Sequence, residues 1–491
     1  MQGGKRQRGA DKNAMAKQGD RNLMEDICYL GAVEMARAIR TRELGVREVV
    51  DAHIARIQRV NPAINAIVTT TFDEALAAAD AADTALAHGA VPGPLFGLPV
   101  AHKDSFLSAG VRTTFGSAVY RDFVPAQDSA VVARQRAAGA IMLGKTNLPE
   151  FGAGSHTFNA VFGATRNPYR QDVSAGGSSG GSAAALAAGM VALADGSDMG
   201  GSLRNPASFC NVVGLRASIG RVPMTPANHA FNTLTVGGPM GRSVADVALM
   251  FSVLAGDHPA DPLAIASDAS DFATLPRVDG KGLRVAVSPT LGGLPFEPAV
   301  SRMLQEGIRQ CQALGCTVDE AEPDFSGADH AFEVLRALAF ATNYGAARAE
   351  HGELMKETVR WNIDLGLAQD GAAIAEAARA HSRMFARMQA LLARYDVLIA
   401  PVSQVTPFAV ETEYPQSIEG VPMPSYIGWM RSSYRITITG HPAISVPCGF
   451  TDDGLPVGLQ IVGKYRGERA LLAFAQLFEQ ANPAGRIRPA I

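Results

Sequence analysis

The chain has 491 residues, 47% of them hydrophobic and 19% charged, with a formal net charge of −3. Such a composition belongs to a globular chain long enough to bury an extensive core, and its balance of charge, without a basic face or binding motif, excludes nucleic acid as the expected partner. Five cysteines (28, 210, 311, 316 and 448), odd in number and sparse, exclude a disulfide framework and fit a reducing, cytoplasmic compartment.

Residues 1–26 are polar and basic for most of their length and lack the apolar stretch of a secretory signal, so a disordered or extraneous tail is expected there. Order is expected from Ile27. Apolar residues at 46, 49, 50, 54 and 57 form a helical stripe, and residues 73–87 and 129–138 read as further helices. Leu98, Val100 and Ala101 place Lys103 at the end of an apolar strand, and Ala140–Leu143 reads as a short strand before Gly144. Strand and helix patterns alternate without a linker, so an α/β chain of one domain is preferred to the roughly three domains that length alone allows. No run of 18 apolar residues is present, which excludes a membrane helix.

The chemistry concentrates on two glycine-rich loops, SAGGSSGGS around Ser178 and GSDMGGSLR around Ser202. Glycine lets a backbone approach a ligand closely, so such loops can set several N–H groups beside a hydroxyl, as acyl transfer requires. A flexible linker is disfavoured because SAAALAAGMVALA follows, an apolar helix-forming run read as a helix over 182–194 that ends at Asp195. A phosphate loop is disfavoured because no Gly-Lys-Ser/Thr follows the glycines. Gly176–Gly180 also fits Gly-x-Ser-x-Gly, with Asp396 and His441 later in the order of a Ser-His-Asp hydrolase, so that alternative stays open. No His-Glu-x-x-His or Cys-x-x-Cys occurs, and neither metal nor cofactor is expected. Cys311 and Cys316, on and just after a helical stretch, read as core residues.

These blocks resemble the amidase signature family of serine hydrolases. The resemblance rests on GGSSGG (176–181), on GSDMGGSLR (196–204) with its continuation to Leu215, and on GLPVAHKD (97–104). LGKTNLPEFG (143–152), GGPMGRSVAD (237–246), GHPAISVPCGF (440–450) and PVGLQIVG (456–463) support it, and together the matches cover roughly residues 27–482. The family implies one domain over 27–485, a mixed β-sheet covered on both sides by α-helices. By position it implies Ser202 as nucleophile, Ser178 as a bridging serine after a cis peptide bond, and Lys103 as base. The backbone amides of Met199, Gly200, Gly201 and Ser202 match its oxyanion hole. Ser197, Met199 and Arg216 depart from the threonines and lysine more usual there, which bears on subfamily and not on the reaction.

A lysine serves as base only when neutral, and burial is what lowers its pKa from about 10.4. A hydroxyl both donates and accepts, so Ser178 can relay a proton between Lys103 and Ser202. Residues 325–435 hold Trp361 and Trp429 and carry less of the family pattern, so this stretch is the expected pocket or lid, on long loops, with Ser179, Tyr426 and Trp429 as candidate substrate contacts. The expected partner is a small amide, ester or carbamate, and the chain is expected to act alone or as a homodimer. An amidotransferase A-type glutaminase component and a non-catalytic binding protein are the alternatives.

Overall fold

The computed structural model describes residues 25–268 and 270–491. The tail expected over 1–26 therefore lies outside the described residues, except that Glu25 and Asp26 already belong to a helix. Eleven strands make one mixed sheet. In chain order they are β1 (Ile67–Thr70), β2 (Pro99–Lys103), β3 (Ile141–Thr146), β4 (Leu193–Asp198), β5 (Val213–Arg216) and β6 (Val236–Gly241), followed by β7 (Arg284–Val287), β8 (Thr317–Glu320), β9 (Val397–Pro401), β10 (Ala443–Phe450) and β11 (Pro456–Gly463). Across the sheet the order is β1-β3-β2-β4-β6-β5-β10-β11-β9-β7-β8. Helices flank it, giving the single large α/β domain that the sequence implied.

The part that matters for function is the parallel trio β3-β2-β4. Every residue of β2 is buried, as a strand covered on both faces must be. Parallel strands end at one edge, and ligands in such sheets bind beyond the carboxyl ends. Here those ends deliver Lys103, the Asn147–Gly152 turn after β3, and the glycine loop after β4 to the same place. The strand read as Ala140–Leu143 begins one residue later and continues to Thr146, because a bulge pairs Ala101 with Gly144 and lets the ladder go on.

The apolar stripe at 46, 49, 50, 54 and 57 falls on the Val46–Ile64 helix, with all five residues buried. Helices also occupy Phe72–Ala87 and Ala130–Ala137, close to the bounds read from sequence. The helix read over 182–194 is shorter: it runs Gly180–Ala187. Gly189, at φ +69°, closes it in a Schellman turn in which the Gly189 amide donates to Leu186 (3.1 Å) and the Met190 amide to Ala185 (2.8 Å). The rest of the apolar run enters β4, so Asp195 is a strand residue; apolarity alone does not separate a buried helix from a buried strand. Among the described residues no helix is long and apolar enough to cross a membrane.

The Gly180–Ala187 helix sits so close to the β3 end that a Cβ on Gly181 would fall 2.7 Å from the Ala66 carbonyl oxygen and closer still to the Asn147 nitrogen. Both obstacles are backbone and cannot swing away. Gly181→Ala should lower stability by about 1–3 kcal/mol or more, as overpacking does. Gly371→Ala, at a helix start with nothing within 4 Å of the new methyl, should change it by no more than about 0.5 kcal/mol. Urea unfolding of the two variants beside the parent checks the pair; equal midpoints would contradict the close approach.

Candidate active site

Lys103 ends β2 with its side chain 1% exposed. Its Nζ donates to Ser178 Oγ (2.7 Å), Ser179 Oγ (3.0 Å) and Ser197 Oγ (3.1 Å). No carboxylate pairs with it among the described residues: Asp104, its neighbour, instead accepts from the Thr114 amide (3.0 Å) and hydroxyl (2.5 Å). The strand end is fixed by Asp195. One oxygen accepts the Lys103 amide (2.8 Å), and the other meets His102 Nδ1 (2.6 Å) and Gln135 Nε2 (2.8 Å). His102 thus supports the strand while Lys103 faces the serines, as alternation along a strand requires. Burial pushes the Lys103 ammonium down to about 7, against the fields of Asp198 and Asp195, which favour the charged form.

The two serine loops meet at this amine. The Gly177–Ser178 peptide bond is cis, as the family resemblance implied. The Ser179 amide donates to the Ser202 carbonyl (3.2 Å), tying the first loop to the second. The second loop wraps a buried carboxylate: Asp198 accepts the amides of Gly201 (3.0 Å) and Leu203 (3.2 Å) and two bonds from the Arg204 guanidinium (3.0 Å each). Arg216 donates to the Asp198 carboxylate (3.2 Å) and carbonyl (2.5 Å). Burial alone would raise the Asp198 carboxyl, but Arg204 and Arg216 hold it well below the usual carboxylate range. Gly201 adopts φ +111° against Ser433, a conformation and a contact that need glycine. Of the four amides expected as oxyanion donors, that of Gly201 donates to the Asp198 carboxylate.

Lys103, Ser178, Ser197, Met199, Gly200 and Ser202 line a cavity of about 500 Å³. Aromatic rings make an apolar wall of the same cavity: Phe115 and Tyr120 (centroids 5.3 Å apart), Phe151, and Tyr344 stacked on Phe151 at 4.2 Å. Backbone hydrogen bonds chain this wall to the residue after Lys103, from the Phe115 amide to the Asp104 carbonyl (2.9 Å) and from the Phe151 amide to the Phe115 carbonyl (2.8 Å). Residues of the segment 219–236, leading into β6, line it as well.

The expected substrate contacts lie elsewhere. Ser179 is fully buried behind Lys103; Trp429, 1% exposed, packs on Phe209 and Phe408; Tyr426 lies behind Gly154 against Trp361. None of the three lines the cavity. Segment 325–435 does contribute, but from a helix, Ala328–His351, more than from long loops. The aromatic residues near 115–151 were missed because nothing in their spacing marks them. Asp195 carried a signal, an acid inside the apolar run VALAD. His441 bonds the Thr439 carbonyl and Gln389 and packs on Phe385 and Tyr465, while Asp396 bonds the Arg284 amide; neither lines the cavity. All five cysteines are free and buried, and among the described residues no group of three or more His, Cys, Asp or Glu is placed to hold a metal ion.

Comparison with known proteins identifies the family. The Amidase family profile matches residues 48–472. An acylamidase of Rhodococcus erythropolis is 35% identical over 480 residues, covering 95% of this chain and 98% of that protein. The A-type component of the glutamyl-tRNA(Gln) amidotransferase of Moorella thermoacetica is 33% identical, over 94% of this chain and 99% of the relative. Among solved structures, a bacterial aryl acylamidase of the amidase signature family superposes with a TM-score of 0.88 at 29% identity, covering 93% and 97% of the two chains. The chain belongs to the amidase family of amidase signature enzymes, hydrolases of carbon–nitrogen bonds other than peptide bonds.

Proposed function

We propose that the protein is an amidase that cleaves a carboxylic amide through an acyl-enzyme on Ser202, with Ser178 as proton relay and Lys103 as base. The observation that carries this reading is the buried Lys103 amine, held by three serine hydroxyls and pushed down to about 7. In the neutral form Nζ takes the Ser178 proton while Ser178 Oγ takes that of Ser202, whose oxygen attacks the amide carbonyl. The tetrahedral oxyanion accepts from the amides of Met199, Gly200 and Ser202, the electrostatic stabilisation that acyl transfer needs. Collapse expels the amine, which receives the proton back through Ser178, and water then releases the acid by the same relay. Esters and carbamates present the same carbonyl.

A second reading, the glutaminase component of a tRNA-dependent amidotransferase, is favoured by the Moorella relative. The cavity weighs against it. Free glutamine carries an ammonium, yet the only acid lining the cavity among the described residues is Asp261, whose two oxygens accept the Met224 and Leu263 amides (2.8 and 2.9 Å).

Ser202→Ala should lose on the order of 10⁶ in kcat on a chromogenic anilide, and a fluorophosphonate should label Ser202 in the parent. The active form of Lys103 is the deprotonated one, so kcat/KM should rise with pH along an acid limb centred near 7. Lys103→Met should abolish activity across that range, whereas His441→Ala should keep most of it. Survival of Lys103→Met with loss in His441→Ala would restore the Ser-His-Asp alternative.

Autonomy separates the two readings. The purified chain, without ATP, tRNA or another protein, should turn over at least one simple amide, ester or carbamate many times, with glutamine at least about tenfold poorer in kcat/KM. Glutaminase activity that rises with ATP and acylated tRNA in a co-purified complex would favour the amidotransferase.

A further inference from the structure

We infer that Arg336 makes this cavity a site for amides that carry a carboxylate, the guanidinium receiving that carboxylate while the amide lies at Ser202. The inference rests on the reading of the cavity as the amide site. The Ala328–His351 helix turns Arg336, Phe340, Asn343 and Tyr344 toward the cavity, the i, i+4, i+7, i+8 positions of one helix face. Arg336 is only 3% exposed. Its Nη1 donates to Asn362 Oδ1 (2.5 Å), and its guanidinium carbon lies 4.3 Å from the Phe340 ring centroid and 5.4 Å from that of Tyr426.

What it lacks is an anion. Among the described residues no carboxylate lies within 4.0 Å of it, whereas Arg204 and Arg216, buried as deeply, both pair with Asp198. A guanidinium has five N–H donors, permanently charged, and an amide oxygen, two ring faces and the neighbouring Tyr426 hydroxyl, all neutral, compensate it poorly. Asn362 adds to the surplus, since its buried Nδ2 has no acceptor among the described residues. A buried charge left without a counter-ion is strongly disfavoured. The cavity wall thus holds a cation with donors to spare and, in Asp261, one acid already engaged. That asymmetry suits an anionic substrate and not a zwitterion such as glutamine. Planar, bidentate donors match a carboxylate better than a single oxygen.

Two matched pairs test this, each replacing the carboxylate with a methyl ketone of the same shape. One pair puts the charge on the amine side (4-acetamidobenzoate and 4-acetamidoacetophenone), the other on the acyl side (5-anilino-5-oxopentanoate and 5-oxohexananilide). In at least one pair the charged member should have kcat/KM about tenfold or more above its ketone, the range of a charge-assisted hydrogen bond, and the favoured pair identifies the side that meets Arg336. In Arg336→Met that ratio should fall to about one, and Arg336→Lys should recover part of it. Calorimetric binding of the same four compounds to Ser202→Ala reads the preference without turnover. Equal binding and equal kcat/KM within both pairs would overturn the inference while leaving the hydrolytic reading intact. A carboxylate preference in binding, lost in Arg336→Met, with no turnover by the parent of these four or of any simple amide, ester or carbamate, would instead overturn the hydrolytic reading and leave the carboxylate site standing. Should Arg336→Met fail to fold, the parent's own ratios and Arg336→Lys still decide it.

Discussion

The Lys103 amine is enclosed by three serine hydroxyls, and its protonation is balanced between burial, which disfavours the ammonium, and the fields of Asp195 and Asp198, which favour it. That balance requires the amine to stay dry and the two carboxylates to stay near without touching it. The fold supplies both conditions through one pair of strands. β2 is buried between β3 and β4, and both aspartates stand on β4, three residues apart, so that strand alternation sends them to different partners. Asp195 secures the strand that bears Lys103; Asp198 shapes the loop that bears Ser202.

The second of these carboxylates reaches furthest into the rest of the molecule. Arg204, paired with Asp198, also donates to the Ser433 carbonyl (3.0 Å), Thr437 Oγ1 (2.9 Å) and Gln460 Oε1 (3.0 Å). Gln460 in turn donates to the carbonyls of Pro401 (2.7 Å) and Ser432 (3.0 Å). One buried network therefore joins the Ser202 loop to β9, β11 and the Arg431–Thr437 helix. Removing one partner of such a network leaves an uncompensated buried charge, at a cost of about 3–5 kcal/mol, so the loop geometry is set by residues that never face the cavity.

Lys103, Ser178 and Ser202 were legible in the sequence because their surroundings are constrained by close backbone approach, and close approach leaves glycines at fixed offsets. The cavity walls left no such trace. Tyr426 and Trp429 read as pocket residues on aromaticity and on their place in the stretch that departs from the family pattern, but a buried aromatic packs a core as readily as it lines a site, and their rings are spent on Trp361, Phe209 and Phe408. The truncated helix at Ala187 shows the same degeneracy in secondary structure: an apolar run is compatible with helix and strand until Gly189 decides between them. Arg336 could have been noticed as a lone cation within VLRALAF, although nothing in the sequence reveals that its counter-ion is missing.

Phe115 and Phe151 stand in the left-handed region, at φ +54° and +50°, while their amides carry the chain of hydrogen bonds that leads back to the residue after Lys103. Position on this wall is thus held by main chain and shape by side chain, two properties that selection can alter separately. The conformation nevertheless limits the alphabet. Glycine, asparagine and aspartate enter this region at small cost, whereas valine, isoleucine and threonine are excluded by their branched Cβ. Single substitutions at these two positions can therefore hollow the pocket or make it polar far more easily than they can trim it by one methyl group, and the range of amides within evolutionary reach is set by a pair of backbone angles as much as by the volume they enclose.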